Sequence, residues 1–370
     1  MKLALAILLA LHGAIHLLGF VKGFGLADVS QLTVHISRPL GVLWLAAALA
    51  CLATAALLFV APERWWIGAA VAIVLSQAAI VTSWSDAKLG TVANVVVLVP
   101  LVLALLDLRS TSLRSIYRHE VDRGFSRPAA TALVTEEDLA PLPPALQTYL
   151  RRAGVVGRPH VHDLRARWHG QMRNGTDASW MDIRAEQVEL FDEPTRLFYM
   201  EASRMGVPFV GLHVYTGDAA TMRVRVASLF DVVDARGPEM NRSETVTLFN
   251  DMCLLAPASL LGAHVEWQTL GERRVGGTFS NAGNRVSAVL TFDADGDLVN
   301  FVSNDRDRSA DGKTYENLPW STPVRDYKDF GGTRVAAHGD ALWKEAQGDF
   351  VYARFELESL ELNVAAHGRE

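Results

Sequence analysis

Four stretches of the chain, residues 3–21, 40–60, 66–84 and 89–106, each run for about twenty residues without one Asp, Glu, Lys or Arg. A hydrocarbon core about 30 Å thick takes roughly 17–25 helical residues to cross. Inside it every backbone N–H and C=O must be paired within the segment, so each run is predicted as a transmembrane helix. The rest of the chain obeys different rules. Residues 1–108 carry five basic and four acidic side chains; the remainder carries 30 and 37, a net −7. About 8% of the first part is charged against about 26% of the second, and soluble domains run near 25%. That split excludes a single soluble globule and a transporter filling the whole length. Two cysteines exclude a disulfide scaffold, and the acidic balance excludes a basic nucleic-acid binder.

The second run is rich in alanine (Ala46, Ala47, Ala48, Ala50, Ala53, Ala55, Ala56), which lets helices approach closely. Ser37 before Pro39 reads as its cap, Trp65, Trp66 and Trp84 suit the membrane interface, and Pro100 reads as a kink in the fourth run. Lys2 and the first run resemble a signal peptide. The length of the run, its His12 and His16, and the want of a small-x-small cleavage site favour a retained span. With four spans, Lys2, Arg64, Arg109, Arg114, Arg118, Arg123 and Arg127 fall on one side, and Lys22, Arg38 and Lys88 on the other. The excess of basic residues favours both termini in the cytoplasm.

Polar residues inside spans are the first place to look for function. His12 and His16, four residues apart, share a helix face, and Gln77 and Asn94 lie in the third and fourth spans. By helical rise, His16, Gln77 and Asn94 fall roughly 3–6 Å to the same side of their span centres. They are expected to meet, either as interhelical hydrogen-bond glue or as a quinone, proton or headgroup site.

Residues 109–141 form a basic juxtamembrane connector. Arg109, Arg114, Arg118 and Arg123, with Leu113 and Ile116 between them, read as an extension of the fourth span or as an interfacial helix ended by Gly124 and Pro128. Beyond it, residues 142–365 form one domain. Helices are predicted over 144–153, with Leu146, Tyr149 and Leu150 in one stripe and Gly154 as cap, and over 241–255, opening with an Asn241–Glu244 capping box. Most of the rest alternates with period two, as in RVSAVLTFD (285–293), while YTGDA, DADGD and SADGK mark turns. The apolar phase of 351–362 slips near Ser359, which predicts a bulge. Roughly ten strands without a βαβ rhythm predict an α+β domain: a large curved antiparallel sheet, or half-barrel, folded over a few helices.

Most chemical motifs fail. The run Asp293 to Asp297 has its glycine at the fourth position rather than the sixth of a calcium loop, and Asn304 stands at the twelfth. His160 and His162 lack a third metal ligand at a recognisable spacing, and Cys253 reads as core filling. No metal or cofactor is expected. A mixed polar and aromatic group remains: Asn250, Asp251, Asp305, Arg306, Trp320, Ser321, Asp326 and Tyr327. Such side chains either line the mouth of a ligand pocket or pin a long loop across a sheet.

The stretches LPPALQTYLRRAGVVG, SLFDVVDARGPEMNRSET, LFNDMCLLAPASLL, FDADGDLVNFVSNDRDR and PWSTPVRDY resemble a family of bacterial proteins known only as a conserved domain of unknown function, over about 142–365. That family supplies no catalytic residues. Its order of helix, strands, middle helix and strands is similar to LolA/LolB-type lipoprotein carriers, which implies a half-barrel around an acyl-chain cavity. The resemblance implies a membrane-anchored module that binds a lipid or other apolar ligand near the bilayer. The alternatives are a membrane enzyme using the polar pocket or an intramembrane redox or proton site, and a structural or signalling protein whose acidic domain docks a partner. Oligomeric state stays open.

Overall fold

A computed structural model describes residues 2–125, 132–204 and 206–364. Arg127 and Pro128, used above for orientation and for the end of the connector helix, lie outside the described residues. The chain forms two compact units, Met1–Ser112 and Leu113–Glu370.

The first unit is helical: α1 (Lys2–Gly23), α2 (Arg38–Val60), α3 (Trp65–Thr82), the single turn α4 (Trp84–Ala87) and α5 (Gly90–Asp107). The four long helices are long and apolar enough to cross a membrane, and no more than 33% of each is buried within the protein. Small residues let the helices meet: Ala47, Ala48, Ala69 and Ala79 are fully buried, while Leu11, Leu49, Phe59 and Val74 face outward. A methyl group on Gly19 would overlap the Trp44 ring, so glycine is what admits that indole between α1 and α2. The Ser37 hydroxyl makes no capping hydrogen bond; the residue contributes its carbonyl, which accepts from the Gly41 N–H at 2.8 Å.

Helix α5 does not extend into the connector. Turn residues 108–112 separate it from α6 (Leu113–Gly124), whose buried Leu113, Tyr117 and Val121 pack with Val188, Leu197, Tyr199, Val210 and Leu212 of the sheet. An arginine-bearing helix is thus held by a sheet face, with Arg114 paired to Glu201. Two further helices follow, the single turn α7 (Glu136–Leu139) and α8 (Pro144–Arg152). As expected, α8 buries Leu146, Tyr149 and Leu150, and Gly154 ends it at φ 75°.

The strands are β1 (Asp163–Met172), β2 (Met181–Leu190), β3 (Thr195–Arg204), β4 (Val207–Thr216), β5 (Ala219–Val226) and β6 (Phe230–Arg236), then, after α9 (Pro238–Leu254), β7 (Val265–Gly271), β8 (Arg274–Asn281), β9 (Asn284–Phe292), β10 (Leu298–Ser303), the two-residue β11 (Asp307–Arg308) and β12 (Glu316–Asn317), β13 (Trp320–Phe330), β14 (Thr333–Glu345) and β15 (Gly348–Leu362). Thirteen of them form one sheet in the order β6-β5-β4-β3-β2-β1-β15-β14-β13-β10-β9-β8-β7. Each neighbouring pair is antiparallel. The sheet is larger than the roughly ten strands expected. The bulge anticipated near Ser359 is present: Arg167 pairs with Ser359 and Trp168 with Leu357, leaving Glu358 as the extra residue.

Helix α9 crosses from one edge strand to the other and hydrogen-bonds to strands of both halves, so the sheet wraps around it. It begins at Pro238 rather than Asn241, since proline suits the first helical turn. The capping box does not form. Asn241 lies inside the helix with its side-chain oxygen on the Ala220 N–H at 2.8 Å, and Glu244 is taken by an ion pair.

Candidate functional site

The sequence of α9 carries polar residues all around, which ordinarily describes an exposed helix. Here Ser243, Glu244, Thr245, Thr247, Asn250 and Asp251 are nonetheless buried. Polar groups out of water must be hydrogen-bonded or they cost several kcal/mol, so the sheet facing them must be polar too. Strands β2, β3 and β4 supply that face.

Its centre is Arg196 on β3, 6% exposed. The guanidinium donates from Nε to Asp251 Oδ2 at 2.7 Å and from Nη1 to Glu244 Oε2 at 3.0 Å, and Glu189 Oε1 lies 3.4 Å from Nε. Gln187 Nε2 donates to Asp251 at 2.8 Å and to Glu189 at 2.7 Å, and His213 Nδ1 meets Glu244 Oε1 at 2.8 Å. From Asp251 the network continues through the Asn250 amide (3.0 Å) to the Thr322 hydroxyl (2.5 Å) on β13.

Three carboxylates around one guanidinium cannot all be ionised at equal cost. Burial pushes the Glu189 carboxyl well above the usual carboxylate range, and the charge of Asp251 adds to that. Burial acts the same way on Glu244, but the His213 imidazole and Arg196 outweigh it and bring that carboxyl down to about 2. The two carboxyls are thus driven in opposite directions, Glu189 toward its protonated form and Glu244 toward its charged one. Both are fully buried between α9 and the sheet.

The polar group picked out from the sequence divides. Asn250 and Asp251 belong to this network. Arg306 and Trp320 lie beside it: Arg306 donates to Thr247 Oγ1 at 3.1 Å, its guanidinium stands 4.5 Å over the Trp320 ring and 5.2 Å over Trp343, and Trp320 Nε1 donates to the Tyr352 hydroxyl at 3.0 Å. The other four are engaged separately. Asp305 accepts from the Ser287 N–H at 2.6 Å, Ser321 meets Asn300 Oδ1 at 2.8 Å, Asp326 pairs with His338 at 3.1 Å, and Tyr327 donates to the Leu298 carbonyl at 2.7 Å. Sequence reading missed Glu189, Arg196, His213 and Glu244. The available signal was α9 itself, whose polar residues leave no single solvent face.

In the helical unit His12, His16, Gln77 and Asn94 do meet, with two residues not foreseen: Ser76 joins the two imidazoles, and Thr91 ends the chain beyond Gln77. The His12 and His16 Nε2 atoms each lie 2.8 Å from Ser76 Oγ, and His12 Nε2 is 3.1 Å from Asn94 Oδ1. Asn94 Nδ2 donates to Gln77 Oε1 at 3.0 Å, and Gln77 Nε2 donates to Thr91 Oγ1 at 3.2 Å. With the Asn94 amide oxygen as acceptor, a proton on His12 Nε2 satisfies that contact. His16 Nδ1 is a buried atom without a hydrogen-bond partner.

A groove of about 520 Å³ opens at the end of the sheet where β15 finishes. Val155, Val161, Pro257, Ala258, Phe330 and Leu360 supply apolar wall, and the exposed Arg158 and Glu361 supply charge. Arg158 Nη1 donates to the Gly331 carbonyl at 2.9 Å. Among the described residues no three His, Cys, Asp or Glu side chains are grouped to hold a metal ion.

An antiparallel sheet wrapped on a buried helix, preceded in the sequence by four long apolar helices, defines the class. Residues 132–355 match a family of unknown function, DUF6544, and the chain belongs to that family. No curated protein matches it. Among solved structures it is similar to a putative outer membrane lipoprotein-sorting protein domain from Vibrio parahaemolyticus (12% identity, 54% of this chain and 85% of that one, TM-score 0.31). It is also similar to a LolA superfamily protein from Nitrosomonas europaea (10% identity, 59% and 93% covered, TM-score 0.34) and to a DUF1329 family protein from Desulfovibrio piger (9%, 60% and 92%, TM-score 0.30).

Proposed function

We propose that this is a multi-pass membrane protein, anchored by its four long apolar helices, whose sheet unit holds a lipid or other apolar ligand in the groove beside Ala258 and Leu360. The groove carries the reading. Its volume of about 520 Å³ lies within the roughly 300–1,000 Å³ usual for small-molecule sites, and Val155, Val161, Pro257, Ala258, Phe330 and Leu360 line it beside the polar Arg158, Thr333, Glu361 and Asn363. The closed Arg196 network speaks against a hydrolytic enzyme built on the buried carboxylates. Native mass spectrometry of the delipidated full-length protein with added phospholipid and fatty acid tests the reading. One bound molecule per chain is expected. No bound lipid at any ratio sinks the proposal.

Anchoring in a bacterial inner membrane, with both termini cytoplasmic, rests on the basic residues flanking the spans. Protease access to the sheet unit in intact spheroplasts tests it; cleavage from outside reverses the orientation.

A second reading rests on the hydroxyl shared by two imidazoles. In this reading a proton added to one imidazole passes through the Ser76 hydroxyl to the other, which gives up none of its own, the arrangement of a proton-binding site within a helix bundle.

A further inference from the structure

Beyond the helical unit, six large apolar side chains are exposed among the described residues: Leu133, Val207, Leu229, Phe230, Val232 and Leu270. Four of the six gather at one end of the sheet. Val207 opens β4 after the β3–β4 turn, Leu229 lies in the β5–β6 turn, and Phe230 and Val232 follow it. The two turns are neighbours, since Phe209 pairs with Val226 and the Ala227 N–H donates to the Pro208 carbonyl at 2.8 Å. Phe230 is 67% exposed and Val232 52%. Leaving such side chains in water at adjacent turn tips is unfavourable and marks an interaction surface. The β5–β6 turn even holds Ala227 and Ser228 at φ 53° and 56°, the left-handed region that non-glycine residues avoid. The one acid in the tip, Asp231, is neutralised by Arg225 at 2.7 Å, and charge returns further along β6 as the Asp234–Arg236 pair.

What covers this rim follows from how the chain arrives. Helix α6 starts at the same end: Leu113 packs with Val210, and Arg114 pairs with Glu201, near the close of β3. It finishes at the opposite end, where Gly124 meets Leu190. Asp107 closes α5, and only residues 108–112 separate it from Leu113. Fully extended, that link reaches no more than roughly 20 Å. The end of α5 is therefore tied by a short link to Leu113, which lies toward the rim's end of the sheet.

We propose that Val207, Leu229, Phe230 and Val232 form an edge that inserts into the bilayer interface, an inference that rests on the spanning reading above. Apolar side chains at such an interface sink about 5–10 Å, the depth of a turn tip. The short link keeps the lipid surface at high effective concentration, so few side chains suffice. The ligand groove opens at the other end of the strands, beside Leu362, and so stays clear of the rim.

The test uses the full chain in vesicles of phosphatidylethanolamine and phosphatidylglycerol. An environment-sensitive fluorophore is placed on Phe230→Cys or Val207→Cys, on Leu98→Cys in α5, and on Asp218→Cys in the exposed β4–β5 turn at the opposite end. The native Cys51 and Cys253 are 1% and 0% exposed and stay unlabelled. Spin-labelled lipid is expected to quench the label at 98 and at 230 or 207 by at least twofold, and to leave 218 unchanged. Quenching at 98 without quenching at 230 and 207 overturns the rim and leaves the spans standing. Absence of quenching at 98 overturns both. Protection of 230 from aqueous iodide without lipid quenching shows a protein covering the rim, and also overturns the proposal.

Discussion

Arg196 and Asp251 are joined by a 2.7 Å hydrogen bond between a strand and a helix, with no more than 7% of either residue exposed. The pair has little solvent to fall back on, so its worth is measured by what remains when one partner goes. Arg196→Met leaves Asp251 and Glu244 buried without their cation, which costs about 3–5 kcal/mol. Chemical unfolding of the full-length protein in detergent, followed by near-ultraviolet circular dichroism, is expected to show a midpoint lowered accordingly. Arg196→Lys should recover only part of the loss, because an ammonium cannot serve Asp251 and Glu244 with a fixed fork. A melting curve indistinguishable from the parent would show that the network is not cohesive.

Glu189 and Glu244 predict opposite pH limbs. The folded-state pKa of Glu189 is raised, so its contribution is present below the unfolded carboxylate range and is lost as pH rises toward the folded value. Glu189→Gln keeps the shape and removes the titration. The variant should gain stability relative to the parent as pH climbs above about 4.3, by up to roughly 1.4 kcal/mol per pH unit. Glu244 runs the other way: its contribution is present above the unfolded range and is lost as pH falls through about 2. Thermal midpoints of the parent and of Glu189→Gln, taken at steps from pH 4 to 9, check the first; a constant difference would contradict it.

The Ser76 hydroxyl carries one proton and so donates to only one of the two imidazoles; His12 and His16 are expected to hold different tautomers, which nitrogen-15 spectra of histidine distinguish. His12 should show its proton on Nε2 and His16 on Nδ1. In Ser76→Ala the His16 signal is expected to lose that single-tautomer signature while His12, still bonded to Asn94, keeps its own. The stability cost should be small, about 0.6 kcal/mol per lost contact. Identical tautomers at both residues in the parent protein would refute the direction of the chain.

Filling the groove should separate binding from folding. Ala258, 5% exposed, lines it, so Ala258→Phe adds a ring on the groove wall. At least a tenfold loss of bound lipid is expected in native mass spectrometry, with an unfolding midpoint shifted by an overpacking cost of about 1–3 kcal/mol. Undiminished lipid binding would place the ligand elsewhere.

The apolar runs, the antiparallel class, the buried stripe of α8 and the bulge at Glu358 were legible because each is written locally, as run length or as periodicity. The meeting of His12, His16, Gln77 and Asn94 was legible from depth along a helix. The Arg196 network was not. In AEQVEL, Gln187 and Glu189 alternate with Val188 and Leu190 as on a half-exposed strand, and only the structure reveals that both faces are covered, one by α6 and the other by α9. Asn241 and Glu244 matched a capping pattern, yet long-range partners claimed both side chains. Local rules yield where a buried group finds a partner from a distant element.

Strand β1 pairs with β15, so that Leu164 lies opposite Leu362. Two meanders are joined along a seam whose second edge, β15, is synthesised long after its first, β1. Until then the first meander waits with β1 unpaired, an open template for a wrong strand. Contacts so distant in sequence also slow folding. Attachment of the first meander to a helix already fixed ahead of it in the chain, with α6 laid across β3 and β4, gives the growing protein a sheltered half-sheet on which to wait for its closing strand.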